Sequence, residues 1–340
     1  MIPFYIGATL VKVLVVFSAT LLMIMALILA ERRVSAFMQY RLGPNRVGWG
    51  GILQPVADGL KFILKEDIIP EKADRPIYLL APVITMVPAL MTMAVIPFGA
   101  PLQVGEYTVP LQIADLNIGL LYILALTSVG VYGIVLAGWG SGSKYPLLGG
   151  LRSSAQLISY ELAMGLSLIG VIMITGGLTF GEIVAYQQES GWNIFKQPLA
   201  AFIFLVAIFA ETNRLPFDLT EAEQELVGGY HTEYSSFKFA MFFMSEYANM
   251  ITASAFMVSL FFGGWDIPFV DEAALGNLGA GLSVLAFLVK IGFFLFLYIW
   301  VRWTFPRFRY DQLMRLGWKV LLPLALANVF LTGLYLVWKA

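Results

Sequence analysis

The sequence predicts an all-α, polytopic membrane protein with about eight transmembrane helices and one amphipathic interfacial helix. Hydrophobic residues make up 59% of the 340 residues and charged residues only 13%, whereas soluble domains contain about 45–50% and about 25% respectively. The mean hydropathy is +0.80. Long apolar runs recur along the whole chain with polar connections between them, so we expect a single membrane domain covering residues 1–340.

The predicted spans are apolar runs of about 20 residues, which is the length that crosses the hydrocarbon core as a helix. The fifth run is the shortest. The eight runs cover residues 4–29, 77–98, 116–138, 155–175, 192–211, 239–263, 281–302 and 318–338.

Lysine and arginine are distributed unevenly among the connections. Most of the 21 basic residues lie in the connections that follow spans 1, 3, 5 and 7, whereas the only base near the connections after spans 2, 4 and 6 is Lys196, at the start of span 5. Because basic residues favour the cytoplasmic side, both termini are predicted on the outer (periplasmic) side. The predicted cytoplasmic loops are residues 30–76, 139–154, 212–238 and 303–317.

The first of these loops contains an amphipathic pattern over residues 48–65. Apolar and polar side chains recur there in antiphase at helical spacing, and Pro55 falls in the first turn, where proline is tolerated. We expect a helix that lies in the membrane interface. A plain surface helix remains the alternative. The apolar positions are Ile52, Val56, Leu60, Ile63 and Leu64, and the polar positions are Gln54, Asp58, Lys61 and Lys65.

The most unusual stretch is the acidic connection between spans 5 and 6. Large apolar side chains alternate with its acids, and Arg214 is the one base in its interior. A solvated loop is one interpretation, and a polar rim around an amphipathic ligand is the other. The acids are Glu211, Asp218, Glu221, Glu223, Glu225 and Glu233.

Three of the ionisable residues inside predicted spans are the most informative. Glu161 lies in span 4, Glu246 in span 6 and Lys290 near the middle of span 7. Burying a charge in hydrocarbon costs several kcal/mol, so such residues usually face the bundle interior and mark a pathway. A buried, hydrogen-bonded structural acid is the alternative for the two glutamates, and a counter-ion is the alternative for Lys290.

Composition also limits the chemistry. The chain has no cysteine and one histidine, His231, so it cannot supply the ligands of an iron–sulfur cluster or a structural zinc site by itself. The sequence contains no phosphate-binding glycine loop, which argues against a nucleotide site within the chain. A net charge of −1 gives no reason to expect a nucleic-acid partner.

Three passages together resemble one family. They are residues 51–66 (GILQPVADGLKFILKE), 216–229 (PFDLTEAEQELVGG) and 306–319 (PRFRYDQLMRLGWK). These passages are similar to the signatures and the last cytoplasmic loop of one membrane subunit of bacterial NADH:quinone oxidoreductase (respiratory complex I). That subunit is the counterpart of mitochondrial complex I subunit 1. With the eight-span layout, the resemblance covers nearly the whole chain.

The resemblance implies a function that residue chemistry alone does not. In that family the subunit forms the membrane end of a quinone cavity and couples quinone reduction to proton translocation. Quinone is the substrate, and the iron–sulfur clusters and FMN belong to partner subunits, including the iron–sulfur subunit at the quinone site. Membrane lipid, other membrane subunits and peripheral-arm subunits are the implied partners, in the bacterial cytoplasmic (inner) membrane.

The resemblance also assigns site residues. The residues implied to line the quinone route are Glu31, Arg32, Asp58, Arg214, Glu223, Glu225 and Arg302. The residues predicted for the proton pathway are Glu161, Glu211, Glu246 and Lys290; the resemblance implies the three glutamates, and Lys290 follows from its position in span 7.

Two other functions remain open at this point. The related membrane subunit of an energy-conserving hydrogenase uses no quinone, and an inhibitor-insensitive activity would favour it. A stand-alone secondary ion transporter would be expected to show internal repeats, and we detect none.

Overall fold

The computed structural model describes residues 2–219, 227–268 and 275–339. Helices dominate these ranges, and we number them α1 to α12. The first six are α1 (Ile2–Met38), α2 (Gln54–Leu64), α3 (Arg75–Met91), α4 (Gly119–Gly140), α5 (Lys144–Thr175) and α6 (Phe180–Ser190). The others are α7 (Asn193–Lys196), α8 (Pro198–Glu211), α9 (Ser236–Phe261), α10 (Gly276–Thr304), α11 (Tyr310–Arg315) and α12 (Leu322–Lys339).

Each of the eight predicted spans corresponds to helical structure, so the all-α membrane fold is confirmed. Six helical segments within the described ranges are long and apolar enough to cross a membrane. The remaining two are α8, which has only 14 residues, and α9, which has 26 residues and carries Lys238 and Glu246. A π-helical segment, Leu316–Leu321, joins α11 to α12 and overlaps the start of span 8.

Several helices extend beyond the apolar runs. The first predicted span ends at residue 29, but α1 continues to Met38. Most of the predicted loop 139–154 is helical, because α4 ends at Gly140 and α5 begins at Lys144. Both differences have one cause. Backbone hydrogen bonding lets a helix continue past the hydrocarbon core into the polar region, where apolar side chains are no longer required.

The predicted amphipathic helix is present as α2. It begins at Gln54 rather than at residue 48, because a 3₁₀ turn, Trp49–Gly51, precedes it. Pro55 lies in its first turn as expected. The apolar side chains of Ile63 and Leu64 are exposed, which leaves the apolar face of α2 available to the membrane interface.

A short hairpin is the one β-structure among the described residues. Strands β1 (Leu102–Val104) and β2 (Tyr107–Val109) pair antiparallel, with Leu102 opposite Val109. Gly105 occupies the left-handed region at φ 63° in the connecting turn. Strands this short give little periodic signal, and for that reason the sequence did not predict them.

Close approach of α3 and α4 depends on Gly133. A Cβ atom at this position would lie 2.9 Å from the backbone nitrogen of Thr85 and still closer to its hydroxyl. The backbone of α3 therefore leaves no room for a side chain there. In contrast, nothing lies within 4 Å of the same atom at Gly130, one turn earlier on α4.

We expect Gly133→Val to separate α3 from α4 and to lower the yield of assembled protein. Overpacking of this kind costs about 1–3 kcal/mol. The measurement is thermal unfolding in detergent. The fraction of the complex that stays soluble at each temperature reports it. Gly130→Val is the matched control and should unfold close to the wild-type temperature; equal destabilisation by both variants would show that the close approach is not the cause.

Candidate functional site

A buried charged cluster lies where α1, α9 and α10 meet the connection after α8. Glu31 of α1 is 7% exposed, Arg214 is 7% exposed and Glu246 of α9 is 8% exposed. Arg214 Nη1 lies 3.2 Å from Glu31 Oε1, and Arg214 Nη2 lies 3.9 Å from Glu246 Oε2. The guanidinium of Arg214 therefore bridges two carboxylates that come from different helices.

Two further side chains complete the cluster around Glu31. Tyr247 donates its hydroxyl hydrogen to Glu31 Oε2 at 2.6 Å, and Arg302 of α10 donates to Glu31 Oε1. The Arg214 guanidinium also stacks over the Tyr247 ring, 4.6 Å from its centroid. Glu31 is thus held by three donors, which compensates for the loss of water around a buried carboxylate.

The position of Arg214 is set by the backbone that follows α8. Asn213 adopts a left-handed conformation with φ 50°, which asparagine tolerates better than most residues. The buried amide of Gln156 on α5 donates to the carbonyl of Ala210 at 2.9 Å and to that of Phe217 at 3.0 Å. Arg214 therefore extends from a loop whose two ends are tied to α5.

Arg214 keeps its charge in this environment. Burial alone would lower the pKa of its guanidinium, but the nearby Glu31, Tyr247 and Glu246 raise that pKa above its ordinary value. The cluster therefore presents a fixed positive charge between two acids.

A second pair of acids lies beyond the cluster, toward α5. The Ser128 hydroxyl on α4 donates a hydrogen bond to Glu161 Oε1, and Glu211 lies close enough to Glu161 for their carboxylates to repel each other. Oε2 of Glu211 is buried and has no hydrogen-bond partner among the described residues. Glu161 and Glu211 are therefore two neighbouring acids inside the bundle.

Tyr298 connects the two groups of acids. Its hydroxyl on α10 donates to the carbonyl of Ile208 at 3.2 Å, and it interacts electrostatically with both Arg214 and Glu211. Tyr298 is 2% exposed. Tyr298 therefore lies between the Glu31 cluster and the pair Glu211 and Glu161, inside an otherwise apolar bundle.

A third group attaches α2 to the end of α1. Arg32 Nη1 lies 2.5 Å from Asp58 Oδ2, and the Gln54 amide donates to Asp58 Oδ1 at 2.9 Å. Partial burial alone would raise the pKa of Asp58, but the hydrogen bonds from Gln54 and Arg32 lower it. Asp58 is therefore ionised at neutral pH, and its charge fixes α2 beside the helix that carries Glu31.

We expect Asp58→Asn to loosen α2. Because the folded-state pKa of Asp58 is lowered, its pairing stabilises the fold above the unfolded-state pKa of about 4 and is lost as pH falls through the folded-state value. Amide hydrogen exchange across residues 54–64 should accelerate several-fold in the variant at neutral pH. In the wild type, the protection of these amides against exchange, corrected for the intrinsic exchange rate at each pH, should be constant from neutral pH to about pH 4.

The matched control for that measurement is Asp311→Asn. Asp311 pairs with Arg309 at 3.4 Å, but both side chains are exposed, and such pairs contribute little to stability. Unchanged exchange in α2 of Asp58→Asn would contradict the proposed attachment.

The structure places the other predicted site residues as follows. Lys290 donates to the carbonyls of Phe262, Gly264 and Asp266 at 2.8, 3.0 and 2.6 Å, so it holds the end of α9 and the loop after it. Its predicted part in proton transfer stays a prediction. Glu223 and Glu225 lie outside the described residues.

Two connections predicted separately on the cytoplasmic side are joined in the structure. Asp218 accepts a hydrogen bond from Arg307 at 2.8 Å, and the backbone nitrogen of Phe308 donates to the carbonyl of Pro216 at 3.2 Å. At least one acid of the acidic connection is therefore paired rather than simply solvated, so the solvated-loop interpretation does not hold for Asp218.

Sequence reasoning missed Tyr247, Tyr298, Gln156 and Ser128. The tyrosines lie in apolar helices, where an aromatic residue is normally part of the core. A tyrosine directly after an intramembrane glutamate, as in Glu246-Tyr247, was the one signal available.

Comparison with known proteins gives a consistent result. The NADH dehydrogenase family model matches residues 11–333. The chain is 54% identical to an NADH-quinone oxidoreductase subunit of Geobacter metallireducens, over 97% of this chain and 96% of that protein. It is 55% identical to NADH-quinone oxidoreductase subunit 8 of Rhodothermus marinus, over 94% of each chain. It is 51% identical to an NADH-quinone oxidoreductase subunit of Koribacter versatilis, over 99% of each chain.

Proposed function

Because this chain belongs to the NADH dehydrogenase family and is a membrane subunit of a multisubunit NADH-quinone oxidoreductase, we propose that it forms the membrane end of the quinone cavity. We further propose that it couples quinone reduction to proton translocation. The observation that carries this proposal is Arg214, a buried cation held between Glu31 and Glu246 and followed by the acids Glu211 and Glu161.

The cavity would receive the two parts of a quinone differently. The exposed apolar face of α2 offers a surface for an isoprenoid tail. The charged residues at the end of α1 offer hydrogen bonds and charge to the headgroup, since Arg32 and Arg302 are partly exposed there. Glu31 and Arg214 would support this rim from behind, because both are buried.

The coupling step is electrostatic. Reducing a quinone draws protons or repels nearby carboxylates. At a separation of about 6 Å and an effective dielectric constant near 20, one unit charge is worth roughly 3 kcal/mol, or about two pKa units. That amount is sufficient to change proton occupancy in a set of acids that titrate together. The polar side chains from Glu31 through Tyr298 to Glu161 give the change a route into the membrane.

The proposal also names the substrate, the partner subunits and the membrane of this chain. Quinone is the substrate, whereas the iron–sulfur clusters and FMN belong to partner subunits, one of which approaches the cavity from the cytoplasmic side. The chain would lie in the bacterial inner membrane with both termini outside. A full-length match to quinone oxidoreductase subunits supports this function over the hydrogenase subunit and the stand-alone transporter.

Photoaffinity labelling tests the quinone site directly. The complex is purified through a tag on this chain, and flavin and iron–sulfur subunits are expected to co-purify. A short-chain quinone carrying a photoreactive group should then label peptides near Glu31, Asp58 or Arg302, and excess unmodified quinone should suppress the labelling. Labelling confined to other subunits, or insensitive to competition, would contradict the proposed cavity.

A further inference from the structure

An apolar cavity lies away from the charged cluster, between α1, α9, α10 and the segment around the β-hairpin. Its volume is about 730 Å³, within the range of about 300–1,000 Å³ that is usual for ligand sites. Its walls are almost entirely apolar. Representative lining residues are Val15, Met23, Ile251, Val284 and Phe287.

The shape of this cavity suits a chain-like ligand. It contacts α1 from Gly7 to Met23, which is a length of roughly 24 Å at about 1.5 Å per helical residue. Glu31 lies eight residues further along the same helix, or roughly 12 Å beyond the end of the cavity at that rise. The cavity therefore occupies the half of the membrane that contains the N-terminal part of α1.

One cation lines the cavity among the described residues. Lys12 Nζ donates to the carbonyl of Gln112 at 2.6 Å and to that of Pro110 at 3.4 Å. The Gln112 side chain in turn donates to the carbonyl of Val95 at 2.7 Å, which fixes the segment that holds Lys12. No carboxylate in the described part of the chain pairs with Lys12.

An ammonium group has three donors, and the two carbonyls occupy two of them. The third donor and the uncompensated positive charge remain for a ligand. A negatively charged oxygen is the complementary partner, and it must belong to a molecule that also carries a long apolar chain. Carbonyls neutralise none of the charge, so an anionic ligand would add an attraction that the protein itself does not supply.

We propose that this cavity binds an anionic phospholipid of the surrounding membrane. One acyl chain lies along α1 within the cavity, and the phosphate pairs with Lys12. The bound lipid braces α1, whose outer side chains such as Leu10 and Leu14 are exposed, against α9 and α10. Because α1 also carries Glu31, the lipid supports the helix that positions this residue in the charged cluster. This site does not depend on the function proposed above.

Photoreactive lipids test the proposal in the intact purified complex. Phosphatidylglycerol with a diazirine in its acyl chain is compared with phosphatidylcholine carrying the same group. The phosphatidylglycerol probe should label α1 peptides within residues 7–23 and the facing parts of α9 and α10. Lys12→Met should reduce that labelling roughly tenfold, as expected for loss of one charge-assisted hydrogen bond, and should leave phosphatidylcholine labelling unchanged.

Two matched pairs of variants separate the site from general effects. Ala19→Phe places a ring in the cavity and should block labelling, whereas Leu14→Phe adds the same ring on a part of α1 that does not line the cavity. Lys196→Met removes a cation on the same predicted side of the membrane and should leave the labelling intact. Lys196 donates a hydrogen bond to Ser190 and does not line the cavity.

Three results would overturn the proposal. The first is equal labelling by both lipids in the wild type and in Lys12→Met. The second is labelling of these α1 peptides by a long-chain photoreactive quinone but by neither lipid. The third is cross-linking of a photoreactive residue at position 19 to another subunit in the complex, with no lipid adduct, which would show that a protein helix fills the cavity.

Discussion

Replacing Arg214 by methionine should reduce NADH-dependent quinone reduction by about two orders of magnitude or more in the assembled complex. Arg214 compensates Glu31 at 3.2 Å and Glu246 at 3.9 Å in a buried site. Removing one partner of a buried ion pair typically costs about 3–5 kcal/mol, because a charge is left uncompensated, and each 1.4 kcal/mol or so corresponds to a factor of about ten. The Arg214→Met site must either distort or take up a proton.

The loss should be felt by both acids. Glu31 loses one of its three donors and keeps hydrogen bonds from Tyr247 and Arg302, and Glu246 loses the guanidinium that lies 3.9 Å from its Oε2. Uptake of a proton by Glu246 would remove a negative charge from the proposed pathway. The defect is therefore expected in quinone reduction and in coupling, while NADH-dependent reduction of an artificial acceptor that bypasses the quinone site should keep the wild-type rate.

A double-mutant cycle separates the interaction of Arg214 with Glu31 from general damage to the complex. Glu31→Gln and Arg214→Met should each be severe, and the double variant should lose less activity than the two losses combined. Arg309→Met removes an exposed arginine from the connection between α10 and α11 and serves as the control. Near-normal quinone reduction in an assembled Arg214→Met complex would contradict the role proposed for the cluster.

The fold was largely predictable because the bilayer imposes a simple requirement. A segment that crosses hydrocarbon must be apolar and must satisfy its backbone internally, so eight apolar runs indicated the helices now seen. The ends were less predictable. Nothing in the apolar pattern marks Met38 as the end of α1 or Lys144 as the start of α5, because outside the core a helix is no longer constrained to be apolar.

The site was predictable only in part, and for a related reason. Glu161 and Glu246 stand out in the sequence because acids are rare in apolar spans. Tyr247 and Gln156 do not stand out, although one donates to Glu31 and the other fixes the loop of Arg214. Their function depends on contacts across more than 50 residues of sequence, which a local pattern does not reveal.

Lys290 shows that a residue can be noticeable in the sequence while its partners are not predictable. A lysine in the middle of a span was as noticeable in the sequence as Glu246, yet the structure shows it bound to three backbone carbonyls at the end of α9. Carbonyl groups leave no trace in the sequence, because every residue has one. The type of residue indicated a buried charge, but its partners required the fold.

Glu246→Gln and Glu161→Gln should abolish or uncouple proton translocation while the complex still assembles. Glutamine keeps nearly the same volume and can still accept a hydrogen bond, such as the one that Ser128 donates to Glu161. It carries neither a negative charge nor an exchangeable acidic proton. The substitution therefore removes proton exchange and leaves the packing of α5 and α9 almost unchanged.

The measurement is proton translocation per NADH oxidised, in liposomes that contain the purified complex and a pH-sensitive dye. Glu189→Gln is the control, because Glu189 lies on the exposed surface of α6. Wild-type turnover and a wild-type proton ratio in both variants would remove these acids from the pathway. A defect in Glu246→Gln alone would instead end the route at the Arg214 cluster, since Glu161 lies on the far side of Tyr298 and Glu211.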